Sequence, residues 1–291
     1  MHRLPPVPQW LARARLALLA ALFAFALPAP AAEQPKNAGP YVPSPQSVVA
    51  DMLKLADVGP EDFVIDLGSG DGRIVLTAAK VFGARGFGVE IKDELVKLSN
   101  DAARRDGLAD RVSFKKQDLF KTDISQASVL TMYLLPDTVN LLREKLLAEL
   151  RPGTRIISHD YPLSGWIPER YVHMDLEDKV QISGVTTTLI YLYVVPAKVV
   201  GAWQATVPAE LSREPLRLRL KQQLTRVWGS TRIAGREVEL EEVKLRGDWL
   251  SFKLAARGRS YAFSGKIGRE TIVGTVGIGR GEAPWSAARS N

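Results

Sequence analysis

A doubly wound α/β sheet followed by a small antiparallel β module is the fold this sequence predicts, on three observations. Short apolar runs alternate with helical patterns between residues 41 and 195, the order that builds a parallel sheet with helices on both faces. The first run, Phe63-Val64-Ile65-Asp66-Leu67, enters a turn with glycines at alternate positions, Gly68-Ser69-Gly70-Asp71-Gly72. From residue 199 the pattern changes to short alternating segments divided by glycine turns, which reads as repeated hairpins.

Residues 1–32 read as a secretory signal. Their only charges are Arg3, Arg13 and Arg15, followed by an apolar run over 16–27 and the small residues Ala29-Pro30-Ala31. Twelve apolar residues fall short of the roughly 20 that span a bilayer. The expected location is therefore periplasmic or secreted after cleavage, with an uncleaved membrane anchor as the alternative. Tyr41-Val42-Pro43-Ser44-Pro45 leads into the first helix, where Ser44 is the expected N-cap and Pro45 the first helical position. Val48, Val49, Met52, Leu53 and Ala56 give that helix its apolar face, and Gly59-Pro60 ends it.

The strand at 63–67 and its glycine turn are followed by a helix over 74–80 and a second strand ending at Glu90. A helix over 92–105 comes next, with Leu95 and Leu98 inward and Gly107 as C-cap. A third strand at 111–114 precedes Asp118-Leu119, and a fourth within 128–135 is stopped by Pro136. Leu141, Leu142, Leu146 and Leu150 mark a helix over 137–150, and the turn Arg151-Pro152-Gly153 leads to a fifth strand at 154–158. Apolar stretches near Val172 and at 186–195 predict a hairpin closing the sheet edge.

The domain plan is a signal over 1–32, a sheet domain over 33–198 and a β module over 199–291. Expected strands of the module lie at 202–207, 216–222, 226–233, 238–245, 250–254, 260–267 and 271–276, making a small barrel or sandwich. Gly201-Ala202-Trp203 resembles the opening of lipocalin-like β modules.

Composition narrows the chemistry. With no cysteine and three scattered histidines, disulfides, a thiolate nucleophile and a metal site are not expected. The whole chain carries +7, and residues from 198 onward hold 17 Lys and Arg against 9 Asp and Glu, a net of +8. Setting aside the three arginines of the signal leaves residues 33–197 at −4. A basic module beside an acidic domain suits an anionic envelope component as partner, or else a solubilising surface that protects strand edges. Nucleic acid is not expected, because the cations alternate with glutamates and no aromatic stacking array accompanies them.

The glycine turn carries the ligand reading. Strand, glycine turn and helix place a ligand beyond the carboxyl ends of the parallel strands, and an acid about twenty residues on commonly accepts hydrogen bonds from a ribose. Glu90 stands eighteen residues past Gly72. The turn is G-x-G-x-G rather than G-x-G-x-x-G, and Asp66, Asp71, Glu90 and Asp118 crowd successive strand ends. Four acids repel a pyrophosphate and suit a nucleoside bearing an ammonium and a sulfonium, S-adenosylmethionine (SAM), over a nicotinamide dinucleotide.

These residues also carry a family resemblance. The run Asp66 through Arg73, with Glu90, Asp118-Leu119 and Pro152-Gly153 ahead of Arg155-Ile156-Ile157, resembles the class I (seven-strand) SAM-dependent methyltransferases. Tyr41-Val42-Pro43 ahead of the glycine turn resembles the lysine methyltransferases of the ATP-synthase c-subunit group. Residues 142–158 are similar to the non-SET histone lysine methyltransferases. The resemblance implies that Asp66, Gly68 and Gly70 hold the methionine end of SAM, Glu90 the ribose hydroxyls and Asp118 the adenine amino group. Ser69, Asp71 and Leu119 complete the set, with Asp71 alternatively capping the next helix, and Tyr41 lies over the cofactor.

The sequence departs from the group after its fourth strand, where Tyr133-Leu134-Leu135-Pro136 offers no Asn-Pro-Pro-Tyr-type amide. A protein lysine is the first reading of the acceptor. A small-molecule acceptor, or a non-catalytic envelope binding protein working through its β module, are the alternatives. A lysine must shed its proton before transfer; Tyr133 is placed to shape an apolar pocket, and His159 and Asp160 to act as base or orient the amine. Tyr161 and Trp166 are expected to pack. An exported domain would also need a supply of a cofactor made in the cytoplasm.

Overall fold

The computed structural model describes residues 40–290, so the expected signal over 1–32 lies outside the described residues. Helix α1 (Gln46–Leu55) buries Val48, Val49, Met52 and Leu53. Its N-cap is Pro45, not Ser44, because the Ser44 hydroxyl is taken by a distant partner. Strand β1 (Phe63–Leu67), helix α2 (Arg73–Phe82) and strand β2 (Arg85–Glu90) form the first parallel unit. Helix α3 (Asp93–Arg105), β3 (Val112–Lys116), β4 (Val129–Met132), α4 (Pro136–Glu149) and β5 (Arg155–His159) continue the alternation. One inward assignment is corrected: Leu98 faces solvent while Leu95 is buried, and of the leucines that mark α4, Leu142 and Leu146 are buried while Leu141 is exposed. The amphipathic stripe is narrower than the run of leucines.

The expected hairpin is β6 (Arg170–Asp175) and β7 (Thr187–Val194), paired antiparallel, with a short helix α5 (Glu177–Ser183) between them that no periodicity announced. The sheet order is β3-β2-β1-β4-β5-β7-β6. Connections reverse direction between β1 and β4, where a crevice opens at the carboxyl ends. Ile65, Leu67, Leu130, Met132 and Ile156 fill one face against α4, and Val64, Val129 and Ile157 fill the other against α1 and α2.

The C-terminal region is a closed eight-strand barrel: β8 (Gly201–Thr206), β9 (Leu216–Gln223), β10 (Arg226–Ile233), β11 (Arg236–Arg246), β12 (Trp249–Ala256), β13 (Arg259–Ile267), β14 (Thr271–Ile278) and β15 (Gly281–Ser290). The sequence pattern missed β15, whose Pro284 and scattered alanines break the alternation. It is the strand that closes the barrel, pairing Ser286 with Thr206 and Ser290 with Ala202. Side chains occupy the barrel interior. Phe252 and Phe263 stack at 4.7 Å, and Trp285 meets both edge-on. Trp203 is fully buried, donates from Nε1 to Val199 O at 2.8 Å and carries the Arg289 guanidinium over its ring at 4.3 Å.

Barrel and sheet also touch one another. Ala197 N donates to Gly247 O, Arg246 pairs with Glu169 at 2.9 Å, and Leu224 packs on the sheet core.

Candidate active site

The crevice at the carboxyl ends of β1, β2 and β4 has two halves. In the first, the N–H groups of Gly68 and Ser69 both donate to Val89 O at 2.9 Å, stapling the turn to β2. Glu90 then accepts from Gly70 N at 3.1 Å and from Ile91 N and Lys92 N at 2.8 and 3.1 Å. Three backbone donors fix its carboxylate while leaving lone pairs open. Gly70 has φ +53, and a Cβ there would lie 2.5 Å from the ring of Tyr41. Gly68 has φ +77, and its Cβ would meet Leu134 at 2.8 Å. Only glycine serves at such points, and the result is a floor of bare backbone between two side-chain walls.

Asp66 is buried at the tip of β1 and accepts from Thr131 Oγ1 on β4 at 2.7 Å. Burial lifts its pKa to about 7; the Thr131 hydrogen bond opposes this, and the charges of Asp71 and Glu90 add to it. Asp71 does not cap α2 in the usual sense. Gly72 is the N-cap, and the Asp71 carboxylate accepts from the Arg73 N–H at 3.2 Å and grips the Arg73 guanidinium at 2.7 Å. Arg73 in turn donates to Ser44 O at 2.7 Å, tying the Tyr41 arm to the turn. Asp118 stands after β3 with Oδ1 accepting from Phe120 N at 2.9 Å, and the Leu119 side chain lies in the sheet core.

The second half lies across Leu134. Tyr133 Oη donates to Asp160 Oδ2 at 2.9 Å, and the Tyr133 ring sits 4.0 Å from that of His159. His159 is fully buried. Burial pushes its pKa down to about 4, with the Asp160 charge resisting and Lys179 assisting, so the ring is neutral at pH 7. Its Nδ1 is 2.8 Å from Ser44 Oγ, and this contact is what withdraws Ser44 from capping. Sealed beneath Tyr133, the imidazole suits a support better than the base the sequence suggested. Asp160 has φ +61 and is held by Leu189 N–H at 3.1 Å and by Lys179 Nζ at 2.7 and 2.8 Å. Burial works against its ionisation, but Lys179, the Leu189 N–H and the Tyr133 hydroxyl together hold the carboxyl below its usual range. Trp166 packs on Tyr193 in the core. Lys179 was missed by sequence reasoning, since nothing in Glu177–Ser183 marks one lysine as internal.

The first half fits SAM on three counts. Carboxylates stand at neighbouring strand tips and match a cationic donor. The backbone between them admits no Cβ at Gly68 or Gly70. Ser69 Oγ is buried with no hydrogen-bond partner among the described residues, a group that a bound ligand satisfies.

A seven-strand sheet of order 3-2-1-4-5-7-6 with this glycine turn defines the class: a SAM-dependent methyltransferase. Comparison with known proteins gives the particular branch. The ANTKMT methyltransferase domain matches residues 66–170. A protein-lysine N-methyltransferase of Saccharolobus islandicus is 43% identical over 157 residues, 54% of this chain and 93% of that protein. An ATP-synthase c-subunit lysine N-methyltransferase of Xenopus laevis is 35% identical, over 52% of this chain and 66% of that one. An RNA methyltransferase structure from Salinibacter ruber, solved with S-adenosyl-L-homocysteine, is 46% identical over 54% of this chain and 96% of its own, at a TM-score of 0.49. The chain belongs to the family of SAM-dependent methyltransferases that includes the Saccharolobus islandicus protein, with the ANTKMT methyltransferase domain over 66–170.

Proposed function

We propose that this methyltransferase transfers its methyl group to the side-chain nitrogen of a protein lysine. The observation that carries the reading is the Tyr133–Asp160 pair, 2.9 Å apart, beside the Leu134 wall of the glycine floor. A phenol and a carboxylate side by side can orient an amine by hydrogen bonding. The lysine-modifying relatives support the same acceptor.

In this reading Asp66, Gly68, Ser69 and Gly70 receive the methionine end of SAM, Glu90 the ribose, and Asp118 with Leu119 the adenine side. Asp71 acts through Arg73 and the arm, and Tyr41 closes the crevice from above. Bound there, SAM would supply an activated methyl group to the lone pair of an amine that has already shed its proton. The protein's task is alignment and keeping that amine neutral. Export and an anionic partner for the barrel belong to the same proposal. Arg217, Arg219 and Lys221 project outward from β9, and no ion pair is seen for them among the described residues.

Calorimetry with SAM and its demethylated product, followed by labelled-methyl transfer onto whole-cell protein, tests the reading. Binding and lysine-borne label are expected, both lost in Asp66→Ala and Glu90→Arg. Label appearing only in small metabolites would replace lysine with a small-molecule acceptor. Cell fractionation of the full chain checks export.

A further inference from the structure

One ionised side chain inside the crevice belongs to no motif. Lys179 in α5 is among the largest fully buried side chains of the molecule. Its Nζ donates to both oxygens of Asp160, at 2.8 and 2.7 Å, and to Thr187 O on β7. Asp160 passes the link on to Tyr133 Oη. An ammonium, a carboxylate and a phenol thus run in series from α5 to the wall of the glycine floor. A buried ammonium is costly, and tethering a seven-residue helix does not by itself require one. An apolar side chain packs there without that cost.

The chemistry of amine methylation gives the charge a use. An acceptor lysine reacts only as the neutral amine, and a bare carboxylate beside it raises the amine pKa by roughly 1–3 units. A second cation nearby acts in the opposite direction. The groups facing Asp160 are Tyr133 from β4, His159 from β5, Lys179 from α5 and Tyr191 from β7, with Tyr161 near Tyr133. His159 is neutral at working pH, so Lys179 is the cation among them.

We propose that Lys179 is a positioning residue for methyl transfer: seated on Asp160, it fixes the Asp160–Tyr133 pair in one geometry and denies the incoming amine a bare carboxylate that would keep it protonated. This rests on the lysine reading above. Lys179 is not itself in contact with the acceptor. It acts through the Asp160 carboxylate, both of whose oxygens it holds.

The test compares wild type with Lys179→Met, Lys179→Arg and Asp160→Asn in two measurements. The first is the initial rate of labelled-methyl transfer onto cell-extract protein as a function of pH. The second, made without SAM, is calorimetric binding of n-butylammonium, the lysine side chain stripped of its backbone. Lys179→Met is expected to move the acidic limb of the rate profile upward by roughly 1–3 pH units, lowering the rate at pH 7 by about 10-fold or more, and to bind n-butylammonium more tightly. Lys179→Arg keeps the wild-type limb. Asp160→Asn, which leaves the Lys179 charge uncompensated, moves the limb downward and weakens n-butylammonium binding. A uniform loss of rate in Lys179→Met with the limb unmoved, or an equal loss in Lys179→Arg, overturns the proposal. Should Lys179→Met fail to fold, Asp160→Asn and Lys179→Arg still decide it. Should wild type label no protein at any pH, the lysine reading fails, and unchanged n-butylammonium binding across the variants would sink the role of Lys179 as well.

Discussion

The two halves of the crevice are built on opposite plans. In the first half, 23 residues from Gly68 to Glu90 supply the floor and the pinned carboxylate, and backbone N–H groups hold the turn and that carboxylate. In the second half, Tyr133 follows β4, His159 and Asp160 stand at the end of β5, Lys179 lies in α5 and Ser44 in the N-terminal arm, and side chains hold one another. The difference teaches where each half tolerates change. A backbone cradle fails when a side chain intrudes, whereas a side-chain network fails when one partner is removed. In the proposed reading the first half takes the donor, which is common to many reactions and suits a fixed cradle, and the second half takes the acceptor.

The largest effect expected from this contrast is on the donor side. Gly70→Val places a β-branched residue at φ +53, with its Cβ 2.5 Å from the Tyr41 ring. Donor binding should weaken by about 100-fold or more, equivalent to ~2.7 kcal/mol, while thermal unfolding shifts only modestly; calorimetry and melting curves separate the two. Unchanged SAM affinity would show that the floor is not where the donor rests.

An intermediate effect is expected across Leu134. Tyr133→Phe removes the hydroxyl that donates to Asp160 but keeps the ring on His159. A hydrogen bond to a charged group is worth about 1.5–3 kcal/mol, so turnover should fall roughly 10- to 100-fold with SAM affinity unchanged. Loss of donor affinity in step with rate would mean that the halves are not separable.

The smallest effect is on pH dependence. Asp66 titrates near pH 7 because it is buried, and a cationic donor favours its ionised form. Between pH 8 and pH 6.5 the ionised fraction falls about fourfold, and SAM affinity should fall with it. Folding stability runs the other way. The folded pKa lies above the unfolded one, so the folded state takes up a proton as pH drops from about 7 toward 4, and this group's contribution to stability rises over that window. Asp66→Asn should flatten both trends relative to wild type, as followed by calorimetry and by melting temperature at each pH. Parallel trends in affinity and stability would contradict the assignment of Asp66 to the donor.

The same division explains what was legible in the chain. Asp66, Gly68, Gly70 and Glu90 were readable because strand period, glycine turn and following acid are local signals, each within a few residues of the next. Leu98 was misread as inward because helical spacing alone does not say how wide a stripe its neighbours cover. Ser44 looked like a cap because nothing nearby competes for its hydroxyl; its partner, His159, lies 115 residues away. Lys179 looked like any lysine of a short polar helix until the β6–β7 hairpin folded it inward. In the barrel, alternation exposed seven strands, but β15 was hidden by Pro284 and small residues.

Sequence by itself settled the doubly wound sheet, the glycine turn and the cofactor class, because hydrophobic period and turn chemistry act over distances of a few residues. Tertiary structure alone decided the acceptor half, the burial of Lys179 and the closure of the barrel by β15 on β8. Those features depend on which distant segments meet, and burial, which turns an ordinary lysine, histidine or aspartate into a tuned one, exists only once they have met.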